Sequence, residues 1–270
     1  MWEKVQQTVS YIKSKTDFNP EYGIILGSGL GGFTKDIEIT HTLPYDEIPN
    51  FPVSTVLGHQ GALVFGTIGD KKVMAMKGRF HFYEGYDMKQ VTFPVRVMKY
   101  LGINKLIVSN ASGGVNVNYK VGDVVVITDH VNMMPEHPLR GSNDERFGPR
   151  FVNMSEPYSL KMIAKSKELA RQLNIEVKEG IYLGLQGPTF ETLAEYKMVK
   201  NIGADCVGMS TVPEVIVAQH MAMECFGISV ITDMGNEENI GTVSHTEVLE
   251  AANKAEPKVR KLIREMILQY

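Results

Sequence analysis

Residues 24–33 read IILGSGLGGF and carry G-x-G-x-x-G at Gly27, Gly29 and Gly32. The reading of this turn decides the fold. A glycine-rich turn after an apolar strand offers backbone N–H groups to an anion. A dinucleotide-binding βαβ unit needs a helix directly after the turn, a second strand, and an acidic residue about 20 positions on. The chain after Gly32 continues FTKDIEITHTLPYDEIPNFP. That stretch leaves no room for an amphipathic helix of about ten residues before a polar, proline-dotted run. The dinucleotide context therefore fails. Two readings remain: a turn that holds one phosphate, with the Ser28 hydroxyl at its centre, or a structural tight turn.

Outward from this turn, short runs rich in Val and Ile recur: YGIIL, GALVFGTI, KVMAMKG, KLIVSN, DVVVITDHV, EGIYLGLQG, ADCVGMS and ISVITD. Bounded by Gly, Asp or Asn, they read as strands. GALVFGTIGDKKVMAMKG reads as a hairpin turning at Gly69 and Asp70. Helical patterns separate the others. VTFPVRVMKYLG stops at Gly102, and SLKMIAKSKELARQLN carries Leu160, Ile163, Ala164, Leu169 and Leu173 as its apolar face. Thr189 is a candidate cap for the helix over TLAEYKMVKNIG, which ends at Gly203. Thr211 with Glu214, and Ser244 with Glu247, have capping-box spacing, and Pro257 should kink or interrupt the last helix. Strands alternating with helices predict α/β architecture: one domain over residues 1–270 with a mixed β-sheet flanked by helices.

The 270 residues are 43% hydrophobic and 22% charged, ordinary values for a globular chain with a substantial core. A net charge of -3 points away from nucleic acid and from anionic membranes. No run approaches the roughly 18 apolar residues of a membrane span. The N-terminal stretch MWEKVQQTVSYIKSKT is an amphipathic helix pattern without an apolar signal core. Cys206, in a predicted strand, and Cys225, in a predicted helix, lack metal-like spacing and read as buried thiols. Together these features predict a cytoplasmic protein. His41, His130, His137 and His220 have no metal spacing with carboxylates or cysteines, so no metal site is expected.

In α/β sheets, ligands sit beyond the carboxyl ends of strands. That rule selects Ser28 and Gly29; Gly78, Arg79 and His81; residues 110–114; residues 187–191; Met209 and Ser210; and Thr232 and Asp233. In KGRFHFYEGY, extended backbone would put Arg79, His81 and Tyr83 on one face. Arg with His in a dry cleft suits phosphate; the alternative is a solvated rim, which FHFY is too apolar to favour. Ser112, Gly113 and Gly114 either let backbone approach a flat ligand or form a plain turn. Phe190 beside Glu191 suits a heterocycle with N–H groups on one edge, or Glu191 simply complements a helix N-terminus. The loop before His245 has the character of a lid, and His245 either faces a ligand or sits in the first turn of a helix. His59 either joins the anion site or lies on the surface.

ILGSGLGG, GRFHFYEGY, VSNASGGVN, PLRGSNDERFGPRF, GPTFETLAEY and GMSTVPEVIVAQH together resemble the trimeric purine nucleoside phosphorylases. The match runs in order over residues 23–248. The resemblance implies a nucleoside-phosphorylase-type fold, a homotrimer, and the reaction purine nucleoside + phosphate ⇌ purine base + ribose 1-phosphate. It implies no cofactor, inorganic phosphate being the co-substrate. Phosphate would be held by Ser28, His59, Arg79, His81, Ala111 and Ser210. Tyr83 and Met209 would bound the ribose, with His245 at its 5′-hydroxyl. Phe190, Glu191 and Val207 would surround the base, and Phe151 would reach a neighbouring subunit's site. His81, Glu191 and Asp233 are the expected catalytic groups.

One position departs from the family pattern. Members that prefer 6-oxopurines usually carry Asn where this chain has Asp233, and the related 5′-methylthioadenosine phosphorylases use Asp near this position. A protonated Asp donates to N7, an ionised one accepts from a 6-amino group, while Glu191 fits the protonated N1 of a 6-oxopurine. Desolvation and the like charge of Glu191 are both expected to raise the pKa of Asp233. The expectation is therefore inosine or guanosine with broadening to adenosine. A 6-aminopurine phosphorylase and a non-catalytic nucleoside-binding protein are the alternatives.

Overall fold

The computed structural model describes residues 1–53, 61–235 and 244–270. Each of the eight Val/Ile-rich runs contributes a strand: β1 (Tyr22–Ile25), β3 (Ala62–Ile68), β4 (Lys71–Lys77), β5 (Lys105–Gly114), β6 (Val124–Asn132), β7 (Val177–Gly184), β8 (Cys206–Gly208) and β9 (Glu224–Met234). A ninth, β2 (Glu38–Pro44), lies in the polar stretch that follows the glycine-rich turn. The sheet order is β2-β3-β4-β1-β5-β8-β7-β6-β9, and β9 pairs back onto β5. Strands β5, β8, β7, β6 and β9 thus close a ring, and β1 to β4 extend from it as an open flank. Pairing is mixed. β1 runs parallel to β4 and β5, and β9 parallel to β5, whereas β3 with β4 is the antiparallel hairpin turning at Gly69 and Asp70. The carboxyl ends of β1, β4, β5 and β9 therefore open at one edge.

The helices are α1 (Trp2–Lys15), α2 (Met88–Val91), α3 (Phe93–Tyr100), α4 (Leu160–Gln172), α5 (Leu193–Asn201), α6 (Val212–His220) and α7 (His245–Gln269). α1 buries Val5, Thr8, Val9 and Ile12, one helical stripe. α7 packs on β9 and α4. Ser244 caps it, its Oγ accepting from the Glu247 N–H. α7 runs unbroken through Pro257, because its buried stripe from Val248 to Ile267 continues on both sides of the proline. No helix among the described residues is long and apolar enough to cross a membrane.

The turn after β1 leads into a short 3-10 helix (Gly31–Asp36), not the helix of a dinucleotide-binding unit. Its glycines are packing requirements. A Cβ on Gly27 would sit 2.6 Å from the Ser109 carbonyl oxygen in β5, and Gly29, at φ +74, would press a Cβ to 2.5 Å from that of Ala252 in α7. The tight-turn reading and the anion-cradle reading are thus compatible.

Several local expectations are corrected. α4 buries Met162, Ile163, Ser166, Leu169 and Ala170, while Leu160 and Ala164 are exposed, so its inward face is rotated from the one expected. Cys225 lies in β9, and both cysteines are buried and free. Residues 112–114 continue β5 because they still pair with β8 and β9; they form no turn. Thr192, not Thr189, caps α5, exchanging hydrogen bonds with Glu195. The Thr211 and Glu214 box does not form: Thr211 sits at φ 70, ψ -53 with no capping bond, and Glu214 is drawn to Arg79.

Candidate active site

Beyond the ends of β1, β4, β5, β8 and β9 lies a cavity of about 350 Å³. Its wall brings together Ser28, Arg79, His81, Tyr83, Ala111, Phe190, Glu191, Val207, Met209, Ser210, Asp233 and His245. Two candidates stand apart. Phe151 is 88% exposed and lines a separate hollow with Arg140, Arg150 and Ile216. His59 and the suggested lid before His245 lie outside the described residues.

One end of the cavity is built on Arg79, which is 4% exposed. Its Nε donates to Glu214 Oε1 at 3.0 Å, and its Nη1 donates to the Ser109 carbonyl at 2.8 Å and to Ser210 Oγ at 3.1 Å. Nη2 lies 3.0 Å from the same Glu214 oxygen but makes no hydrogen bond among the described residues. A buried guanidinium N–H without an acceptor is costly, and an anion in the cavity would satisfy it. The cation is already neutralised by Glu214, so the site is held rigid without being strongly positive.

A polar chain continues inward from Ser210. Its Oγ lies 3.1 Å from Thr211 Oγ1, which accepts from Asn110 Nδ2 at 2.8 Å. Asn110 Oδ1 in turn accepts from Ser229 Oγ at 2.6 Å, and Ser229 Oγ is 2.6 Å from Ser112 Oγ. Thr211 occupies a γ-turn closed by the Val212 N–H on the Ser210 carbonyl at 2.7 Å. Such a conformation costs about 1–3 kcal/mol and persists only where its surroundings hold it. Here the side-chain bonds of Ser210, Thr211 and Asn110 hold it, placing Ser210 at the cavity wall.

Between the two ends, His81 stacks on Tyr83 with centroids 4.7 Å apart. They do not share the face of an extended strand: β4 ends at Lys77, and Tyr83 lies in a 3-10 turn that begins after His81. His81 Nδ1 lies 3.0 Å from Glu84 Oε1, which also accepts the His81 backbone N–H at 2.8 Å. The carboxylate fixes the proton on Nδ1 and leaves Nε2 for another partner. Burial lowers the His81 pKa, with the Glu84 hydrogen bond opposing, and burial pushes the Tyr83 hydroxyl up to about 12.

At the far end stand Glu191 and Asp233. Asp233 Oδ1 accepts from Thr232 Oγ1 at 3.1 Å, and Oδ2 from the Tyr196 hydroxyl at 3.2 Å. Burial raises the pKa of both carboxyls. The like-charge contribution bears on Glu191, after burial; at Asp233 burial alone raises the pKa, and the Thr232 and Tyr196 hydrogen bonds oppose it. Asn110 falls in the strand-end set selected from sequence, whereas Thr211, Glu214, Ser229 and Tyr196 were not picked out there as site residues. Among the described residues, no group of three or more His, Cys, Asp or Glu side chains suits a metal ion.

The family model of the phosphorylase superfamily matches residues 21–268. Purine nucleoside phosphorylase 1 of Bacillus subtilis is 46% identical over 270 residues, covering 100% of both chains. Two solved structures from Schistosoma mansoni superpose closely. Isoform 2 of purine nucleoside phosphorylase, in complex with cytosine and ribose-1-phosphate, gives a TM-score of 0.95 at 39% identity, covering 99% of this chain and 96% of that one. A purine nucleoside phosphorylase in complex with adenosine gives 0.94 at 38% identity, covering 99% and 97%.

Proposed function

The chain belongs to the phosphorylase superfamily, among its purine nucleoside phosphorylases, and on that footing we propose how its own residues divide the reaction purine nucleoside + phosphate ⇌ purine base + ribose 1-phosphate. One observation carries the assignment. A single cavity holds, at one end, a buried guanidinium whose Nη2 makes no hydrogen bond among the described residues and, at the other, two desolvated carboxyls.

Phosphate sits against Ser28, Arg79, His81, the backbone at Ala111, and Ser210. The ribose lies along Tyr83 and Met209, with His245 at its 5′-hydroxyl. Phe190 and Val207 flank the base, Glu191 accepts from N1–H of a 6-oxopurine, and Asp233 meets N7. The glycosidic bond breaks through an oxocarbenium-like ribose. Phosphate held beneath C1′ stabilises that cation and then captures it, so the barrier falls by positioning and electrostatics. The purine is a poor leaving anion, and a donor at N7 relieves this. No cofactor takes part in this scheme; phosphate is a co-substrate.

The substrates are inosine and guanosine with broadening to adenosine, since the Asp233 carboxyl supplies both a donor and an acceptor. Incubation with inosine, guanosine, adenosine and methylthioadenosine, with and without phosphate, and assay of free base and ribose 1-phosphate tests the reading. Phosphate-dependent base release is expected. Release from none of the four would leave a nucleoside-binding protein.

The active unit is a homotrimer in which Phe151, exposed in its own chain, completes a neighbour's ribose wall. Phe151→Ala is expected to raise the nucleoside KM by about tenfold or more, the worth of a buried aromatic contact, while the phosphate KM changes little. Sedimentation of the fully active enzyme as a monomer would refute the shared site. The buried free thiols of Cys206 and Cys225 support a reducing, cytoplasmic setting.

A further inference from the structure

Tyr196 does not line the cavity, yet three elements are shaped around it. It stands in α5, one turn after the Thr192 cap, and its hydroxyl donates to Asp233 Oδ2 at 3.2 Å. A Cβ on Gly235, just beyond β9, would come 2.1 Å from the Tyr196 ring. A Cβ on Gly113, in β5, would come 2.9 Å from Asp233 Oδ2 and 3.5 Å from the Tyr196 hydroxyl. Glycine backbone in β5 and just beyond β9 leaves the phenol and the carboxyl room to meet.

The two oxygens of Asp233 are not equivalent. Oδ2 has Tyr196, whose pKa burial raises, so it remains a donor. Oδ1 has Thr232 Oγ1, which has an alternative acceptor in the Ser112 carbonyl at 3.3 Å. When the carboxyl carries a proton, Thr232 can turn to Ser112 and free Oδ1 to hold it, while Tyr196, whose hydroxyl also interacts with Glu191, stays against Oδ2. Oδ1 is therefore the oxygen whose surroundings can release it to carry the proton.

We propose that Tyr196 is a positioning residue for base recognition: it pins Oδ2 of Asp233 as an acceptor, so that the carboxyl presents its proton from Oδ1 in one orientation. The inference rests on the assignment of Asp233 to the purine N7. A carboxyl locked with one donor and one acceptor oxygen matches a base whose acceptor N7 lies beside a donor 6-amino group. Tyr196 thus supports the 6-aminopurine nucleosides within the substrate range, while 6-oxopurines, which offer no donor there, depend on it less.

Tyr196→Phe keeps the ring and removes only the hydroxyl. The expected result is a fall of about fivefold to tenfold in kcat/KM for adenosine, the worth of one hydrogen bond, with inosine changed less. The pH profile moves as well. The groups facing Asp233 are Tyr196 from α5, Glu191 from the segment before it and Thr232 on β9; His245 at the start of α7 lines the same cavity, with Arg79 and His81 at its other end. The Tyr196 hydrogen bond favours the ionised carboxyl, so its loss raises the Asp233 pKa, and the alkaline fall of adenosine activity moves to higher pH. In an Asp233→Asn background, Tyr196→Phe should no longer distinguish adenosine from inosine, since what it then changes acts through Glu191. Equal loss on both substrates with an unmoved pH profile would make Tyr196 merely structural and overturn the proposal. If Tyr196→Phe does not fold, Gly113→Ala must produce the same adenosine-selective loss, and its failure to do so overturns the proposal equally. Absence of base release by the wild type on every nucleoside would instead refute the assignment of the reaction itself.

Discussion

Arg79→Ala is expected to raise the phosphate KM and lower turnover together, with kcat/KM for phosphate falling about tenfold to a hundredfold. That is the worth of a charged hydrogen bond, about 1.5–3 kcal/mol. Arg79 is nearly sealed from solvent, so water does not replace the lost guanidinium. The same change strands Glu214, which is 2% exposed and whose Oε2 already has no hydrogen-bond partner among the described residues. Removing one member of a buried ion pair costs about 3–5 kcal/mol. For a chain of this size that is a fall in Tm on the order of 10 °C. The double variant Arg79→Met with Glu214→Leu separates the two effects. With both charges gone, most of the stability should return, because apolar replacement of a buried pair is often neutral. Phosphate use should not return. Phosphate saturation curves and thermal melts on the three proteins decide the matter. An unchanged phosphate KM in Arg79→Ala would remove Arg79 from the site, and a double variant as unstable as the single one would show that the loss is packing and not stranded charge.

The parts of this fold that were legible in the sequence are those whose residues answer to local rules. β1, most of β3, β5 and β9, and the first half of β6 are buried on both faces, so they read as continuous apolar runs rich in Val and Ile. β2 was missed because it is an edge strand that buries only Leu43 and, among the described residues, pairs only with β3. Its polar sequence is what such an edge requires. The cavity wall was legible for a geometric reason: strand ends can be counted, and ligands gather beyond them. Residues that act from behind the wall left no such signal. Glu214 has capping-box spacing from Thr211, but a guanidinium 135 residues away in sequence binds its carboxylate instead. Tyr196 looks like any helical tyrosine until the chain returns 37 residues later with Asp233. Long-range polar pairs of this kind obey chemistry, but not spacing.

Asp233→Asn is expected to lower adenosine phosphorolysis by about a hundredfold or more, the usual contribution of a positioned general acid, while inosine phosphorolysis is kept. Burial raises the Asp233 pKa, which extends the pH range over which it stays a neutral acid able to donate to N7. Glu191 is raised as well, by burial and then by the charge of Asp233, so the two carboxyls resist ionising together. As pH rises through the Asp233 pKa the donor is lost, and the carboxylate then repels N7. Activity that depends on Asp233 therefore has an alkaline limb. An asparagine amide donates to N7 at every pH, and its oxygen or nitrogen can be turned to meet one purine edge. With 6-oxopurines the amide donates to N7 and O6 together. With adenine it cannot deliver a proton to the leaving base, and Glu191 faces an N1 that carries none. Wild type should thus cleave both substrates, with 6-oxopurines favoured or comparable. Asp233→Asn should cleave inosine with its alkaline limb flattened, because an amide does not titrate. The measurement is kcat/KM against pH for inosine and adenosine on both proteins. If wild type leaves adenosine intact, and the variant changes neither inosine kinetics nor the pH profile, Asp233 does not touch the base.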